Sequence, residues 1–141
     1  MKKNVFTNKT VFTKCIMSAT IICASVFSTH SFAQGKWEAP SSANSIKNPL
    51  AGNAEAIKNG KTLYITNCAP CHGERGKGDG PAAGALNPKP ANHSSLGVQT
   101  QTDGAIFWKM SEGRGAMAAY KNNMTEQQRW SLVCYIRTLK K

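Results

Sequence analysis

Apolar residues recur at helical spacing in three stretches of the chain and run together in a fourth. From Asn53 to Asn67, Ile57, Leu63 and Tyr64 fall on one face, and Asn53 is placed to cap the first turn. From Thr102 to Glu112, Ile106, Phe107 and Met110 share a face, with Thr102 or Asp103 as cap and Gly113 as stop. From Thr125 to Leu139, Leu132, Val133, Tyr135, Ile136 and Leu139 give a broad apolar face, opened by the capping box Thr125 with Gln128. Almost no strand-type alternation and no internal repeat appears. The pattern predicts an all-α protein of three to four helices joined by Gly/Pro-rich loops.

The fourth stretch, Cys15 to Phe27, is too short for a membrane span of ~20 apolar residues. Lys2, Lys3, Lys9 and Lys14 precede it, and Ser31-Phe32-Ala33 closes it with small residues. This is the pattern of a secretory signal peptide cleaved after Ala33. The expected organisation is a signal peptide over 1–33, an extended N-terminal arm over 34–53 and one domain over 54–141. Trp37, Ile46 and Leu50 are the arm residues able to pin it to the domain. The expected location is the periplasm, with no transmembrane anchor after cleavage.

The chemistry concentrates at Cys68-Ala69-Pro70-Cys71-His72. Cys-x-x-Cys-His is the attachment signal for a c-type haem. Two thiols one helical turn apart can each reach one vinyl group of the same porphyrin, and the next residue brings an imidazole to the iron. Cys68 and Cys71 are the expected thioether positions, and His72 the expected proximal ligand of one covalently attached haem c. A structural zinc site would need four ligands, and Cys134 and His93 form no second close pair. A thioredoxin-type redox pair should follow a buried strand, whereas a polar amphipathic helix precedes these cysteines. Gly76-Lys77-Gly78-Asp79-Gly80 lacks the P-loop pattern and any preceding strand, so a loop wrapping one side of the haem is the simpler reading.

The other axial position decides between ligand binding and electron transfer. Met110 is in phase with Ile106 and Phe107, which assigns it to the core. Met124 directly precedes a helix cap, a place for a staple or surface residue. Met117 lies mid-loop among small residues, where backbone can approach a haem face, and is the expected distal ligand. His93, in the long Gly73–Gly97 loop, is the weaker candidate and is expected to be exposed. Cys134 falls within the apolar run of the last helix and reads as a small buried thiol.

The full chain carries 18 Lys and Arg against 7 Asp and Glu, a formal net charge of +11. Four of the basic residues and none of the acids lie before Gln34, leaving 14 against 7 in the remainder. Such a balance favours partners with acidic docking surfaces. Nucleic acid is not expected as a partner of an exported chain without interleaved exposed aromatics.

From about residue 54 to 140 the chain resembles the small bacterial class I cytochromes c, single-haem electron carriers. The resemblance rests on Gly60-x-x-x-Tyr64-x-x-x-Cys68-x-x-Cys71-His72, on Leu132-Val133-Cys134-Tyr135-Ile136, and on Gly78-Asp79-Gly80-Pro81-Ala82-Ala83 followed by Asn87-Pro88-Lys89-Pro90. It implies a cytochrome c fold with crossing terminal helices, and hence a contact among Gly60, Tyr64 and Tyr135. It also implies that a loop proline carbonyl, from Pro81, Pro88 or Pro90 with Pro88 preferred, orients the His72 ring. Two departures stand out: Ala118 follows Met117 where many relatives have proline, and Cys134 stands where they often have alanine. The implied function is one-electron transfer between exported or membrane redox partners by a monomer that is not an enzyme. The alternatives are a haem-bearing subunit of a larger oxidoreductase complex, held by the Gln34–Gly52 arm, and a haem enzyme or gas sensor with an open distal site near Arg114.

Overall fold

The computed structural model describes residues 36–141; the expected signal peptide and the first two residues of the arm lie outside the described residues. Three helices carry the architecture: α2 (Ala54–Asn67), α5 (Asp103–Glu112) and α6 (Glu126–Thr138). Three single-turn helices punctuate the connections: α1 (Ser41–Asn44), α3 (Ala69–His72) and α4 (Leu96–Gln99). Among the described residues there is no strand, and one isolated bridge joins Arg114 to Met117. No helix among them is long and apolar enough to cross a membrane.

Each long helix starts where a side chain satisfies its orphan amides. Asn53 Oδ1 accepts from Ala56 N at 2.9 Å, and Thr102 Oγ1 from Ala105 N at 3.1 Å. Thr125 and Gln128 form the reciprocal capping box at 3.2 and 2.8 Å. The single-turn helices are too short to show a hydrophobic period, so the sequence pattern does not reveal them.

The core lies where α2 crosses α6. Gly60 meets the backbone of Ser131; a Cβ there would collide with the Ser131 carbonyl oxygen and stand 2.6 Å from its carbon. One turn on, Tyr64 (0% exposed) packs its ring 5.1 Å from that of Tyr135. This is the contact the family resemblance implies, and it explains a glycine inside a helix, where it costs ~1 kcal/mol relative to alanine. Leu132, Val133 and Trp130 are fully buried beside it. Met110 is buried as expected. Met124 is buried too, in the same cluster, and Cys134 is a buried free thiol.

Helix α5 packs on α6 through Phe107 and Trp130, stacked at 3.9 Å, with the Arg129 guanidinium 4.6 Å from the Phe107 centroid. Arg137 ties the end of α6 to the start of α5: Nε donates to Asp103 Oδ1 at 2.6 Å, and the two Nη donate to the carbonyls of Gln99 and Gln101.

The arm is built into this framework. Ala43 is 1% exposed, its carbonyl seated on Gly104 of α5. Asn48 Nδ2 donates to Asp103 Oδ2 at 2.8 Å, and the Cys134 thiol donates to Leu50 O at 3.1 Å. Trp37 lies 6.5 Å from Trp108, with Lys109 and Arg114 cations 5.7 and 5.9 Å from its ring. Gly104 is therefore the arm's seat, because a Cβ there would strike the Ala43 carbonyl oxygen. Gly104→Ala is expected to release residues 36–50 while leaving the α2–α6 crossing intact. Limited proteolysis should then cut within the arm at least tenfold faster, with the remainder of the domain resistant. Unchanged cleavage would refute this role.

Candidate haem site

Helix α2 ends at Cys68, and the chain turns at once into α3, with Pro70 in its first turn, where a missing N–H costs nothing. Cys71 N and His72 N both donate to Cys68 O, at 3.1 and 2.8 Å. The two cysteines thus sit one helical turn apart, half-buried and unpaired, with His72 immediately after them. Gly73, at φ 77°, stops the turn, and the following loop folds back over it. Gly78 N donates to His72 O, Gly80 N to Cys71 O and Ala82 N to Pro70 O, at 2.7, 3.1 and 2.9 Å. At Gly80 any side chain would collide with the Ala69 and Pro70 carbonyls. The glycine-rich loop is thereby a backbone clamp on the attachment turn.

His72 is buried, and its Nδ1 lies 2.9 Å from Ala91 O. A carbonyl only accepts, so Nδ1 carries the proton and Nε2 keeps its lone pair for a metal. Burial holds the ring below its usual pKa and so favours this neutral form, against the opposing pull of the Ala91 hydrogen bond. The carbonyl comes from Ala91 and not from Pro81, Pro88 or Pro90. The register of the loop brings to the ring the oxygen of the residue directly after Pro90.

His93 also departs from the sequence expectation: it is buried, not exposed. Its backbone N donates to Gly76 O at 2.6 Å, and its carbonyl accepts from Gln99 Nε2 at 2.7 Å, which draws the side chain inward. The ring stacks on His72 at 4.0 Å and 19°, and its Nδ1 lies 3.0 Å from Tyr64 Oη. Sequence reasoning missed this contact because a lone histidine in a Gly/Pro-rich loop carries no periodic signal.

Met117 is half-buried and packs against the core. It closes a tight turn with Arg114, each N–H donating to the other's carbonyl at 3.0 and 2.9 Å, across Gly115 at φ 57°. Lys121 and Glu112, 2.6 Å apart, pin the base of this loop. Tyr120 Oη donates to Asn67 O at 2.8 Å, the carbonyl directly before Cys68. The loop bearing Met117 is thus tied to the start of the attachment turn. Burial pushes the Cys68 thiol up to about 12, with the neighbouring Cys71 adding to the rise, so it is a protonated thiol. Burial and then these two cysteines also raise Tyr120.

Two free thiols one helical turn apart and a buried imidazole with an available Nε2 fit a covalently held haem. Together with the helical fold they define a c-type cytochrome, an electron-transfer protein bearing haem c. The sequence profile of the cytochrome c family, "Cytochrome c", matches residues 57–140, and the chain belongs to that family. It is 35% identical over 99 residues to cytochrome c-554(547) of Halothiobacillus neapolitanus, covering 64% of this chain and 100% of that protein. It is 29% identical over 105 residues to the cbb3-type cytochrome c oxidase subunit FixP of Azorhizobium caulinodans, covering 67% of this chain. This chain spans 31% of that subunit's length.

Among solved structures it is similar to a chain of the Kuenenia stuttgartiensis reducing HAO-like protein complex, with 33% identity and TM-score 0.52. That match covers 59% of this chain and 42% of the other. It is also similar to the KustC0563 c-type cytochrome, with 26% identity and TM-score 0.51, over 58% of this chain and 98% of that one.

Proposed function

We propose that this protein is a soluble, exported one-electron carrier whose single haem is tethered by Cys68 and Cys71 and held axially by His72 and Met117. The observation that carries the Met117 assignment is the Tyr120–Asn67 hydrogen bond, which ties the methionine loop to the residue preceding Cys68. The haem supplies the ferric–ferrous couple. The protein supplies its burial, its ligands and a docking face. A thioether favours ferrous iron and raises the potential. With both axial bonds retained in both oxidation states, the iron offers no vacancy for a substrate. The excess of basic over acidic residues favours redox partners with acidic docking surfaces, and the reading takes residues 1–33 as the signal that sends the chain to the periplasm.

Absorption spectra test the reading. The oxidised protein is expected to show the near-infrared sulfur–iron charge-transfer band, and the reduced protein to exclude carbon monoxide at neutral pH. Rapid, complete carbon monoxide binding would instead establish an open distal site.

A second reading, residence as a subunit of a larger redox complex, is favoured by one feature of the chain and two of its relatives. The arm is built onto α5 and α6 as an ordered surface. One relative is an oxidase subunit and another is a chain from a reducing complex. Stable co-purification in fixed stoichiometry would select this reading over a free shuttle.

A further inference from the structure

We propose that His93 is a positioning residue for the haem iron: its ring sets the plane of the His72 imidazole and thereby the electronic axis of the ferric site. The proposal rests on His72 being the proximal ligand.

The geometry comes from a single segment. Ala91 and His93 each place a group on His72, the first a carbonyl at Nδ1 and the second a ring against the imidazole face. The carbonyl fixes the tautomer and the in-plane direction of the ring. It leaves the ring able to rock about the Nδ1–oxygen line. A flat partner at 4.0 Å and 19° opposes that rocking, since any tilt closes one edge of the stack.

The partner is itself fixed. His93 backbone is held on both sides, N–H to Gly76 O and carbonyl to Gln99 Nε2, and that same amide nitrogen also lies 2.8 Å from Ile136 O on α6. Behind it, Gly76 leaves little room: a Cβ there would lie 3.0 Å from His93 Cβ and 2.8 Å from Leu139 Cδ1. The ring azimuth is set by Tyr64, edge-on at 5.7 Å and 66°. Both hydrogen bonds are satisfied when His93 Nδ1–H donates to Tyr64 Oη and the tyrosine hydrogen goes to Gly73 O at 3.3 Å. Gly73 directly follows His72, so the restraint begins and ends on the attachment turn. An aliphatic side chain would fill the same volume, but with neither a flat face for His72 nor a polar atom for Tyr64.

The ligand plane relative to the porphyrin determines how the unpaired electron of low-spin ferric iron is distributed. Electron paramagnetic resonance and the hyperfine-shifted haem methyl resonances read that directly. Three variants of the holoprotein separate the contributions: His93→Leu removes the flat face, His93→Phe keeps it without the Tyr64 bond, and Tyr64→Phe removes only the bond. The expected result is a shifted and broadened low-field g feature and a narrowed methyl spread in His93→Leu. Tyr64→Phe should show a smaller change in the same sense, and His93→Phe should restore most of the wild-type pattern.

All three should retain the low-spin visible spectrum and the sulfur–iron band. Wild-type g values and methyl spread in both His93→Leu and Tyr64→Phe would overturn the inference while leaving the ligand assignment standing. A wild-type ferric spectrum that is not low-spin, or that survives in His72→Ala, would overturn the assignment beneath it. Should His93→Leu fail to take up haem, Tyr64→Phe decides alone, because it deletes a single oxygen.

Discussion

Replacing Met117 with alanine is expected to abolish the sulfur–iron band of the ferric protein, lower the midpoint potential and admit carbon monoxide to the reduced iron. A neutral thioether stabilises ferrous over ferric iron. If that preference amounts to about a hundredfold, its loss lowers a one-electron potential by roughly 120 mV, at ~59 mV per factor of ten. The fold should survive, because Met117 sits half-buried in a turn closed by its own backbone bonds to Arg114. Met110 and Met124 supply the contrast. Both are buried in the core, so alanine there should cost on the order of 2–5 kcal/mol of stability and leave the band in place. Survival of the band in Met117→Ala, or its disappearance in Met124→Ala with haem retained, would move the ligand elsewhere.

Gly60→Ala is expected to be among the most damaging small substitutions in the chain. Helix propensity alone favours alanine by ~1 kcal/mol. The new methyl, however, would overlap the Ser131 carbonyl and stand 3.0 Å from Tyr135 Cβ. These are backbone and near-backbone atoms of α6, so the helices must separate to admit it. Overpacking typically costs ~1–3 kcal/mol, and occasionally more. With backbone as the obstacle, a net loss of about 2 kcal/mol is expected, or a fall of roughly 10 °C in Tm for a domain of this size. Gly97→Ala is the control, since the nearest atom to its Cβ would be a serine hydroxyl at 3.9 Å. Equal melting temperatures for the two variants would mean that the crossing is looser than the geometry indicates.

The parts of this molecule that repeat a period or a spacing were legible beforehand. The long helices and their caps followed from Asn53, Thr102 and Thr125 and from the apolar faces behind them. The attachment turn followed from five consecutive residues. The parts fixed by where loops come to rest were not legible. Nothing in Asn87-Pro88-Lys89-Pro90 says which carbonyl will reach His72, because a shift of one residue exchanges a proline oxygen for that of Ala91. In sequence His93 reads as solvent-facing loop, whereas its backbone bonds to Gly76 and Gln99 hold it inward. The arm, rich in polar and small residues, has no apolar period. Its docking depends on Ala43 and Gly104 being small enough for one backbone to rest on another.

The crossing of α2 and α6 also orders events in time. A chain that emerges from its N-terminus presents Cys68, Cys71 and His72 well before Glu126–Thr138, the last helix, exists to close over Tyr64 and Gly60. During that interval the Cys68 thiol is free of the burial that pushes it up to about 12 in the folded chain. Its thiolate, the more reactive form, is then within easier reach. The docking of α6 on Gly60 and Tyr64 then fixes the helix that ends at Cys68. The crossing is thus an ordering in time as well as a packing contact: the attachment turn is made first, and the helix that locks α2 against Ser131 and Tyr135 comes last.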